Sequence, residues 1–453
     1  MGCRHPRHSQ DAALTFLTHT HNSYLTTLYA LADCNNFFVS CERVFRPDLW
    51  NKPVLVLSGN DGCVISRSNE AKAFGIKMGV PLYQIRDLVQ KHQIACFSSN
   101  FSLYGDLSHR VMSILMRNTT RFEQYSIDEG FITLNHLPPE QHKPFCEKLV
   151  RDIYQGVGIP VSMGIAPSKT LAKVASKYAK KYPAYHGACA IDTDNKRLKA
   201  LGTFDITDVW GIGRKASAKL ADYGITTALK FASMNERQVR TLLHKPGVLT
   251  WRELNGIDCI DTSEIIAKQS ITTSRTFAHP ISDRRLLEQQ LANFCDSCAR
   301  KLRMQHSLCT QIIFYIHTSY FRTDITPCHI AQTVNLPVAT DNTAEILSYL
   351  LAAFRPLFRE NMQFKKAGVI FSRIIPAEAA MADLFDTRDR TKHAALQSTI
   401  DRIRSRQGRQ SVLLGTQLSP LPPSGDEQSE PYIAEHQSPL YTTDIRQILQ
   451  IKI

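Results

Sequence analysis

Predicted strands and helices alternate along most of this chain, and that alternation limits the fold more than any other sequence feature. Apolar and β-branched runs predict strands over 28–32 and 53–57, and apolar residues at helical spacing predict a long helix over 101–118. Similar segments follow or lie between them: helices over 69–74 and 82–91, a hairpin over 122–125 and 131–134, a helix over 141–154, a strand over 160–165 and a helix over 168–181. This order predicts a sheet covered by helices, and the fold class is therefore α/β.

A second sheet is predicted later in the chain, after a helical module. Short helices surround Gly211 and Gly213, and the module continues to about 262. The segments beyond it have the β-α-β-β-α-β order of a ferredoxin-like unit, over 271–277, 284–305, 310–318, 330–336, 343–359 and 366–373. A chain of 453 residues is too long for one hydrophobic core, so several domains are expected.

The chain is basic, with 54 Lys and Arg against 41 Asp and Glu and a net charge of +13. Such a charge favours a polyanionic partner, and nucleic acid is the first candidate. No apolar run approaches the ~20 residues that cross a bilayer, so no membrane partner is expected. The twelve cysteines are scattered, which is typical of a reducing compartment and predicts a cytoplasmic location.

One pair of cysteines, Cys295 and Cys298, has metal-like spacing, with His306 and Cys309 downstream. The pair lies in a segment that reads as continuous helix, without the loop of a zinc knuckle. Structural helix positions are favoured over a zinc site, and both interpretations stay open at this point.

Three acidic residues stand at a predicted strand end and a predicted turn. Asp33 follows the first strand, and Asp128 and Glu129 lie at the tip of the hairpin. A sheet that holds both elements side by side would bring the three carboxylates together, and they would repel one another unless cations neutralised them. Such hard oxygen ligands select Mg²⁺, and two ions can clamp the attacking and leaving oxygens of a phosphoryl transfer. The alternative is that each acid is an ordinary surface residue.

The sequence around these acids resembles the two metal-binding motifs of the Y-family translesion DNA polymerases. The matching phrases are Asp33-Cys-Asn-Asn-Phe-Phe38 and Tyr125-Ser-Ile-Asp-Glu129. Three further phrases look like the UmuC catalytic subunits of bacterial polymerase V: Ser40-Cys-Glu-Arg-Val-Phe-Arg-Pro-Asp-Leu-Trp50, Asn60-Asp-Gly-Cys-Val-Ile65 and Phe97-Ser-Ser-Asn100. The resemblance covers about 28–373. It implies a DNA-directed DNA polymerase of SOS repair and mutagenesis that copies damaged template with two Mg²⁺ ions.

The resemblance also implies a right-hand arrangement of domains. A ferredoxin-like palm would occupy 28–37 and 98–192, small fingers 38–97, a helix-hairpin-helix thumb 193–262, and a βαββαβ little finger 268–375. Residues 1–27 would be an N-terminal extension. Residues 376–453 would be a partner-binding tail, partly disordered because 415–439 is rich in Pro, Ser, Glu and Gln.

Metal and nucleotide contacts are implied by position in the family motifs. The backbone carbonyl of Cys34 would join the metal ligands, and Phe38 would exclude a ribose 2′-hydroxyl, while one of Phe37 and Phe38 is expected in the core. The implied nucleotide contacts are Phe37, Phe38, Ser66, Asn69, Lys72 and Lys180. Family members often have Tyr and Arg where this chain has Asn69 and Lys72, so a point charge replaces a bidentate clamp.

Lys173, Lys177 and Lys181 recur with Lys180 along one helical face, which is either functional or simply solvated. Gly211, Gly213, Arg214 and Lys215 resemble a helix-hairpin-helix that grips DNA phosphates through backbone N–H groups and positive charge. In the little finger, Arg275, Lys365 and Lys366 are candidate phosphate contacts, or ordinary exposed charges.

Two segments near the end of the chain resemble partner-binding peptides. Met381-Ala-Asp-Leu-Phe385 is similar to a sliding-clamp peptide, with Asp383, Leu384 and Phe385 as the clamp contacts. Ser438-Pro-Leu-Tyr-Thr-Thr443 is similar to the UmuC C-terminus, which implies a UmuD′-like dimer and RecA as partners. The implied substrates are primer-template DNA and deoxynucleoside triphosphates.

Two other classes of protein compete with this interpretation. A nucleotidyl cyclase shares a ferredoxin-like palm and paired metal carboxylates, but it has no use for a DNA-gripping hairpin or a basic little finger. A non-catalytic DNA-binding accessory subunit would not need the acidic triad. An ATPase or helicase is not expected, because no Gly-x-x-x-x-Gly-Lys-Ser/Thr loop exists in the chain.

Overall fold

A central strand, β1, organises the first half of the protein in the computed structural model, which describes residues 27–262, 267–380, 386–418 and 434–449. Its helices and strands follow one another as β1 (Tyr29–Cys34), α1 (Phe37–Val44), β2 (Val54–Leu57), β3 (Val64–Arg67), α2 (Asn69–Ala73), α3 (Arg86–Lys91), β4 (Ala95–Ser98), α4 (Phe101–Arg117), β5 (Phe122–Gln124), β6 (Glu129–Thr133), α5 (His142–Val157), β7 (Val161–Ala166), α6 (Lys169–Lys181) and β8 (Ala188–Ala190).

The palm sheet has the strand order β5-β6-β1-β7-β8, and β1 pairs antiparallel with both β6 and β7. Successive side chains of a strand point to opposite faces, and both faces of β1 are buried. Ala30 and Ala32 pack in the core that α4 and α5 cover, whereas Tyr29 and Leu31 pack against α6. By this alternation Asp33 belongs to the α6 face.

The fingers contain a separate small sheet, β3-β2-β4, with its own apolar core. Helix α1, however, packs with the palm, because Val39 and Cys41 are fully buried in the palm core. The predicted domain boundary at residue 38 therefore cuts through the first turn of α1. The predicted helix over 82–91 is a 3-10 turn at Leu82–Ile85 followed by α3.

The second half of the chain continues with α7 (Asp194–Thr203), α8 (Arg214–Ala221), α9 (Ala228–Ala232), α10 (Glu236–Leu254), β9 (Ile271–Ile281), α11 (Arg284–Met304), β10 (Ser307–Thr318), β11 (His329–Thr340), α12 (Thr343–Phe354), β12 (Phe364–Pro376) and α13 (Arg390–Gln407). The elements from α7 to α10 form the thumb. The elements from β9 to β12 confirm the predicted βαββαβ order, with the strands arranged β11-β10-β12-β9. Helix α12 ends at Phe354, earlier than predicted, and a 3-10 turn over Arg355–Leu357 follows, because Pro356 has no N–H to continue the helical hydrogen bonds.

Cys295 and Cys298 are buried in α11 and face the little-finger sheet. The Cys298 thiol lies 3.2 Å from the Thr273 hydroxyl, so it packs as a core residue. None of the helices in the described ranges combines the length and apolar character needed to cross a membrane.

The C-terminal tail returns to the folded domains at two places. Helix α13 lies against the little finger, where Arg404 pairs with Asp296 and Arg303 with Asp401. Residues 434–449 lie against the palm and fingers, although 434–439 fall within the stretch predicted as disordered linker. Composition predicts disorder from the segment alone. Here the segment is ordered by contacts with residues more than 300 positions away in the chain.

Candidate active site

The sheet register brings Asp33 and Glu129 together. The two residues are direct partners on the antiparallel strands β1 and β6, so their side chains share one face. Glu129 is the first residue of β6, not the tip of a turn as its sequence context predicts. Both carboxylates therefore face α6.

Helix α6 lies unusually close to the sheet because β7 carries a glycine beneath it. A Cβ atom at Gly164 would lie 2.0 Å from the carbonyl oxygen of Ala172 and 2.2 Å from the amide nitrogen of Ser176. Only glycine permits this approach of two backbones. The consequence is that lysines on α6 reach the two carboxylates on β1 and β6.

Asp128 immediately precedes β6 and is held by its own turn. The Ser126 hydroxyl donates to Asp128 Oδ1 at 2.6 Å and accepts the Glu129 N–H at 3.0 Å. The Asp128 carbonyl accepts the Cys34 N–H at 2.9 Å, which ties this turn to β1. The sequence argument missed Ser126, although a serine two residues before an acid is typical of a hydroxyl turn.

Two lysines neutralise two of the three carboxylates. Lys173 Nζ lies 2.5 Å from Glu129 Oε1, and Lys180 Nζ lies 2.6 Å from Asp33 Oδ1. Burial raises the pKa of Asp33 and that of Glu129, and the ion pairs with the lysines oppose both shifts. The negative charge of Asp128 raises both pKa values further. This excess of buried negative charge favours a cation at the site.

The donor set suits Mg²⁺, since it consists of three carboxylates and the nearby Cys34 carbonyl. As the side chains stand in the described part of the chain, no three acidic, imidazole or thiolate groups are placed to hold a metal ion together. In this arrangement Asp33 pairs with Lys180 and Glu129 pairs with Lys173, both on α6.

A cavity of about 550 Å³ opens beside the carboxylates, between the start of α1, α2 and α6. Among its lining residues are three predicted nucleotide contacts, Asn69, Lys72 and Lys180, together with Lys177 and Lys181. Partial desolvation lowers the pKa of Lys72, and the positive charges of Arg67 and Lys180 lower it further. Asp205 and Asp208 also line the cavity, and Lys177 pairs with Asp208 at 3.1 Å. The four lysines outnumber these two acids, so the cavity is suited to a polyanionic ligand.

Asn36 joins two of the predicted contacts in this cavity. Its Oδ1 accepts from Lys72 Nζ at 2.6 Å, and its Nδ2 donates to Asn69 Oδ1 at 3.1 Å. The residue has a left-handed backbone (φ 48°) immediately before α1, a conformation that asparagine tolerates better than most residues. The sequence argument did not single out Asn36, and its place within the first acidic motif, three residues after Asp33, was the available signal.

Ser66, another predicted nucleotide contact, lies outside this cavity. It is buried in β3, where it pairs with Val56, and it does not line the cavity among the described residues. Phe37 is also buried, with 4% exposure, in the palm core. Phe38 is only partly buried, and its ring stacks on that of Tyr104 at a centroid distance of 4.7 Å. Of the two rings, Phe37 is thus the core residue.

The predicted DNA contacts of the thumb lie together on its surface. Gly211 has φ +89°, and a Cβ there would approach the Thr250 hydroxyl to 2.4 Å. Gly213 caps the N-terminus of α8, and Gly213, Arg214 and Lys215 are exposed. An exposed helix N-terminus with free N–H groups and adjacent positive charge is suited to phosphate.

The thumb also contacts the stretch just before Asp128 directly. Trp210 Nε1 donates to the Tyr125 hydroxyl at 3.1 Å, and the two rings meet edge to face. Lys173 Nζ lies 4.4 Å from the centroid of the Tyr125 ring. The lysine beside Glu129 is therefore also held by a cation–π contact.

The predicted little-finger contacts do not share one face of the sheet. Arg275 is the register partner of Ala367, a core residue on the helix-covered face, whereas Lys366 pairs with Thr276 and His317 on the open face. Lys365 Nζ donates to the Ala278 carbonyl at 2.8 Å. The proposed clamp contacts Asp383, Leu384 and Phe385 lie outside the described residues.

Comparison with known proteins agrees with this architecture. Residues 32–177 match the impB/mucB/samB family, residues 268–384 match the C-terminal domain of that family, and residues 195–225 match its HHH motif. The chain is 40% identical over 385 residues to Protein ImpB of Salmonella typhimurium, which covers 83% of this chain and 90% of that protein.

Protein UmuC of Salmonella typhimurium is 33% identical over 429 residues, which covers 94% of this chain and 100% of that protein. Among solved structures, a Y-family DNA polymerase chimera, Dbh-Dpo4(243-245)-Dbh, superimposes with a TM-score of 0.61 and 19% identity, over 77% of this chain and 99% of the chimera. At that identity the superposition shows a shared fold.

Proposed function

Because this chain belongs to the impB/mucB/samB family, we propose that it uses the carboxylates of β1 and β6 to add deoxynucleotides to a primer. The protein is a UmuC-like Y-family enzyme, a DNA-directed DNA polymerase of translesion synthesis in SOS mutagenesis. The observation that carries the proposal is the pairing of Asp33 with Glu129 next to a lysine-lined cavity of about 550 Å³. Acidic groups for metal ions thus lie beside basic groups for a triphosphate.

Asp33, Asp128, Glu129 and the Cys34 carbonyl would hold two Mg²⁺ ions. When bound, the ions would supply Lewis-acid stabilisation of the charge that develops in phosphoryl transfer. The chain itself positions the carboxylates through the β1–β6 register and the Ser126 turn. Divalent metal use is general to the family, and the two-ion stoichiometry is our proposal.

Lys180 has two alternative anionic partners in this proposal. Without nucleotide it neutralises Asp33 at 2.6 Å, and it also lines the cavity where a triphosphate would lie. Binding of metal ions and a triphosphate would release Lys180 from Asp33, and Lys180 would then pair with the phosphates. The same lysine would thus neutralise Asp33 in the empty site and the triphosphate in the loaded site. Lys173 would leave Glu129 in the same way, and the ring of Tyr125 remains as its other contact.

Primer extension on a gapped template, undamaged and damaged, tests the function directly. We expect template-directed addition that depends on a divalent cation and continues past the lesion. DNA binding without any extension, under all metal conditions and with the partner proteins present, would instead support the accessory-subunit alternative. Conversion of a nucleoside triphosphate to a cyclic product would support the cyclase alternative.

The partners of the protein are further proposals. A UmuD′-like dimer and RecA are suggested by the similarity to UmuC, and a sliding clamp by the motif over 381–385. We propose the cytoplasm as the site of action, because DNA and deoxynucleoside triphosphates are the proposed substrates. Co-purification of each partner with the full chain is the direct measurement.

Lys72→Ala is expected to raise KM for the incoming nucleotide about tenfold, because a charged hydrogen bond to phosphate contributes roughly 1.5 kcal/mol or more. The kcat should change much less, since the Lys72 side chain donates to Asn36 and forms no ion pair with the three carboxylates among the described residues. Lys72→Arg should restore most of the affinity. The exposed Lys77 of the same domain provides the matched control as Lys77→Ala, and an equal KM in both alanine variants would contradict the assignment.

Arg214→Ala and Lys215→Ala should each weaken primer-template binding and reduce its salt dependence. Each lost phosphate contact lowers the slope of log K against log salt by about one. The measurement is fluorescence anisotropy of labelled DNA across a salt series. Lys219→Ala, at the opposite end of α8, is the control, and slopes that match wild type in the first two variants would remove the thumb from the interface.

A further inference from the structure

The segment of residues 434–449, named here the C-terminal segment, is seated behind the helix that carries Phe38. Its backbone pairs with β4, where the Ser98 N–H donates to the His436 carbonyl and the His436 N–H donates to the Ser98 hydroxyl, both at 3.0 Å. The Tyr441 ring is 7% exposed and stacks on Phe45 at a centroid distance of 4.4 Å. Tyr441 is therefore part of the palm core.

Asn100 binds the C-terminal segment and the start of α4 at once. Its Oδ1 accepts the Leu103 N–H as the helix cap, at 3.2 Å. Its Nδ2 lies 3.0 Å from the Ser438 hydroxyl and 3.2 Å from the carbonyls of Ser438 and Pro439. The Ser438 hydroxyl oxygen accepts a hydrogen bond from this amide, which fixes the position of the oxygen. The hydroxyl proton must then point away from Asn100.

That proton is directed at a buried carboxylate on α1. Ser438 Oγ donates to Glu42 Oε1 at 3.1 Å, and the Tyr104 hydroxyl donates to the same oxygen at 2.6 Å. Glu42 is 0% exposed, and its Oε2 has no hydrogen-bond partner within the described part of the chain. A buried carboxylate depends on its donors, so the two hydroxyls determine where Glu42 and α1 can sit.

The same contacts extend from Glu42 through Tyr104 to Phe38, the predicted sugar gate. Tyr104, held by Glu42 through its hydroxyl, stacks on Phe38 with an interplanar angle of 18°. Phe101 closes the cluster edge-on to Phe38 at 5.9 Å. Phe38 is thus supported by a ring whose orientation depends on Glu42, and Glu42 depends in part on Ser438.

We propose that the C-terminal segment determines sugar selectivity, with Ser438 as a positioning residue that acts through Glu42 and Tyr104 on Phe38. The proposal rests on the proposed polymerase function and on Phe38 as the gate. The tail then has a role inside the active domain, in addition to any partner that it binds. Loss of the Ser438 hydroxyl leaves Glu42 with one donor, which loosens Tyr104 and the ring that it supports.

The test compares Ser438→Ala, Ser438→Thr and Ser405→Ala in the full chain. Ser405 is an exposed serine of α13 whose hydroxyl donates to the Arg402 carbonyl, so its variant is the matched control. In Ser438→Ala, we expect ribonucleotide addition relative to deoxyribonucleotide addition to rise about three- to tenfold, which is less than the full worth of one hydrogen bond to a charged group because the effect reaches Phe38 through two other side chains. Ser438→Thr keeps the hydroxyl and should restore the wild-type ratio.

Amide hydrogen exchange in the same proteins tests the contact between Ser438 and Glu42 independently of catalysis. Exchange over α1 should quicken in Ser438→Ala and stay at the wild-type rate in Ser438→Thr and Ser405→Ala. An unchanged sugar ratio or unchanged exchange in Ser438→Ala overturns the proposal. A wild-type protein that extends no primer refutes the polymerase function instead, and the exchange result still decides whether Ser438 holds α1.

Discussion

Asp128→Asn and Glu129→Gln are each expected to reduce nucleotide addition about a thousandfold, because metal-bound carboxylates contribute several kcal/mol to the transition state. Primer-template binding should stay nearly unchanged, since the proposed duplex contacts lie on the thumb and little finger. The measurements are single-nucleotide extension rates and DNA affinity on the same preparations. Asp152→Asn, an acid on α5 that pairs with Lys148, is the matched control.

The two substitutions differ in what they do to the surrounding contacts. Glu129→Gln removes the charge that holds Lys173 at 2.5 Å, so the lysine keeps only its aromatic contacts with Tyr125 and Trp210. Asp128→Asn keeps an oxygen for the Ser126 hydroxyl and leaves the turn intact. Normal primer extension by purified Asp128→Asn protein would show that the metal site has been placed at the wrong residues.

The order of the elements could be predicted from the sequence because local patterns determine it. Alternation of apolar residues and helical spacing placed β1, α4, α6 and the βαββαβ unit within a few residues of their observed bounds. The three carboxylates were proposed as metal ligands because Asp33 directly follows an apolar run, the other two interrupt a hairpin, and both stretches resemble the metal-binding motifs of the Y-family polymerases. These are properties of short stretches of chain.

Properties that depend on which elements meet in space could not be predicted in the same way. The sequence shows that Lys173, Lys177 and Lys180 share one helical face. It does not show that Lys173 meets Glu129 and Lys180 meets Asp33, because these contacts depend on the register of β1 and β6 and on how α6 packs against them. Gly164 brings α6 close enough for both contacts, and an isolated glycine in a strand does not reveal its neighbour.

The C-terminal segment was the largest departure from the sequence-based view. Its first residues, 434–439, belong to the stretch 415–439, whose richness in Pro, Ser, Glu and Gln predicts disorder when a segment is considered alone. The contacts that order it come from Ser98, Asn100 and Glu42, more than 300 residues earlier in the chain. Burial of Tyr441 and the hydrogen bonds of Ser438 offset the loss of conformational entropy there.

Phe38→Ala is expected to raise ribonucleotide addition relative to deoxyribonucleotide addition roughly 10- to 200-fold, the range by which pocket shape discriminates small groups. In the proposed role, the Phe38 ring would exclude a 2′-hydroxyl by its volume, and the Tyr104 ring stacked on it at 4.7 Å would limit its movement. Deoxyribonucleotide addition should fall only modestly, through lost packing.

Phe37→Ala separates this role from simple loss of packing. Phe37 is 4% exposed within the palm core, so its truncation should cost roughly 3–5 kcal/mol of unfolding free energy and change sugar choice little. Phe38 is less buried, and its truncation should therefore cost less stability than that of Phe37. Both variants are compared with each nucleotide type on one template, alongside their chemical denaturation midpoints. Unchanged sugar selectivity in Phe38→Ala would show that Phe38 is not the gate. A larger change in Phe37→Ala than in Phe38→Ala would assign the gate to Phe37.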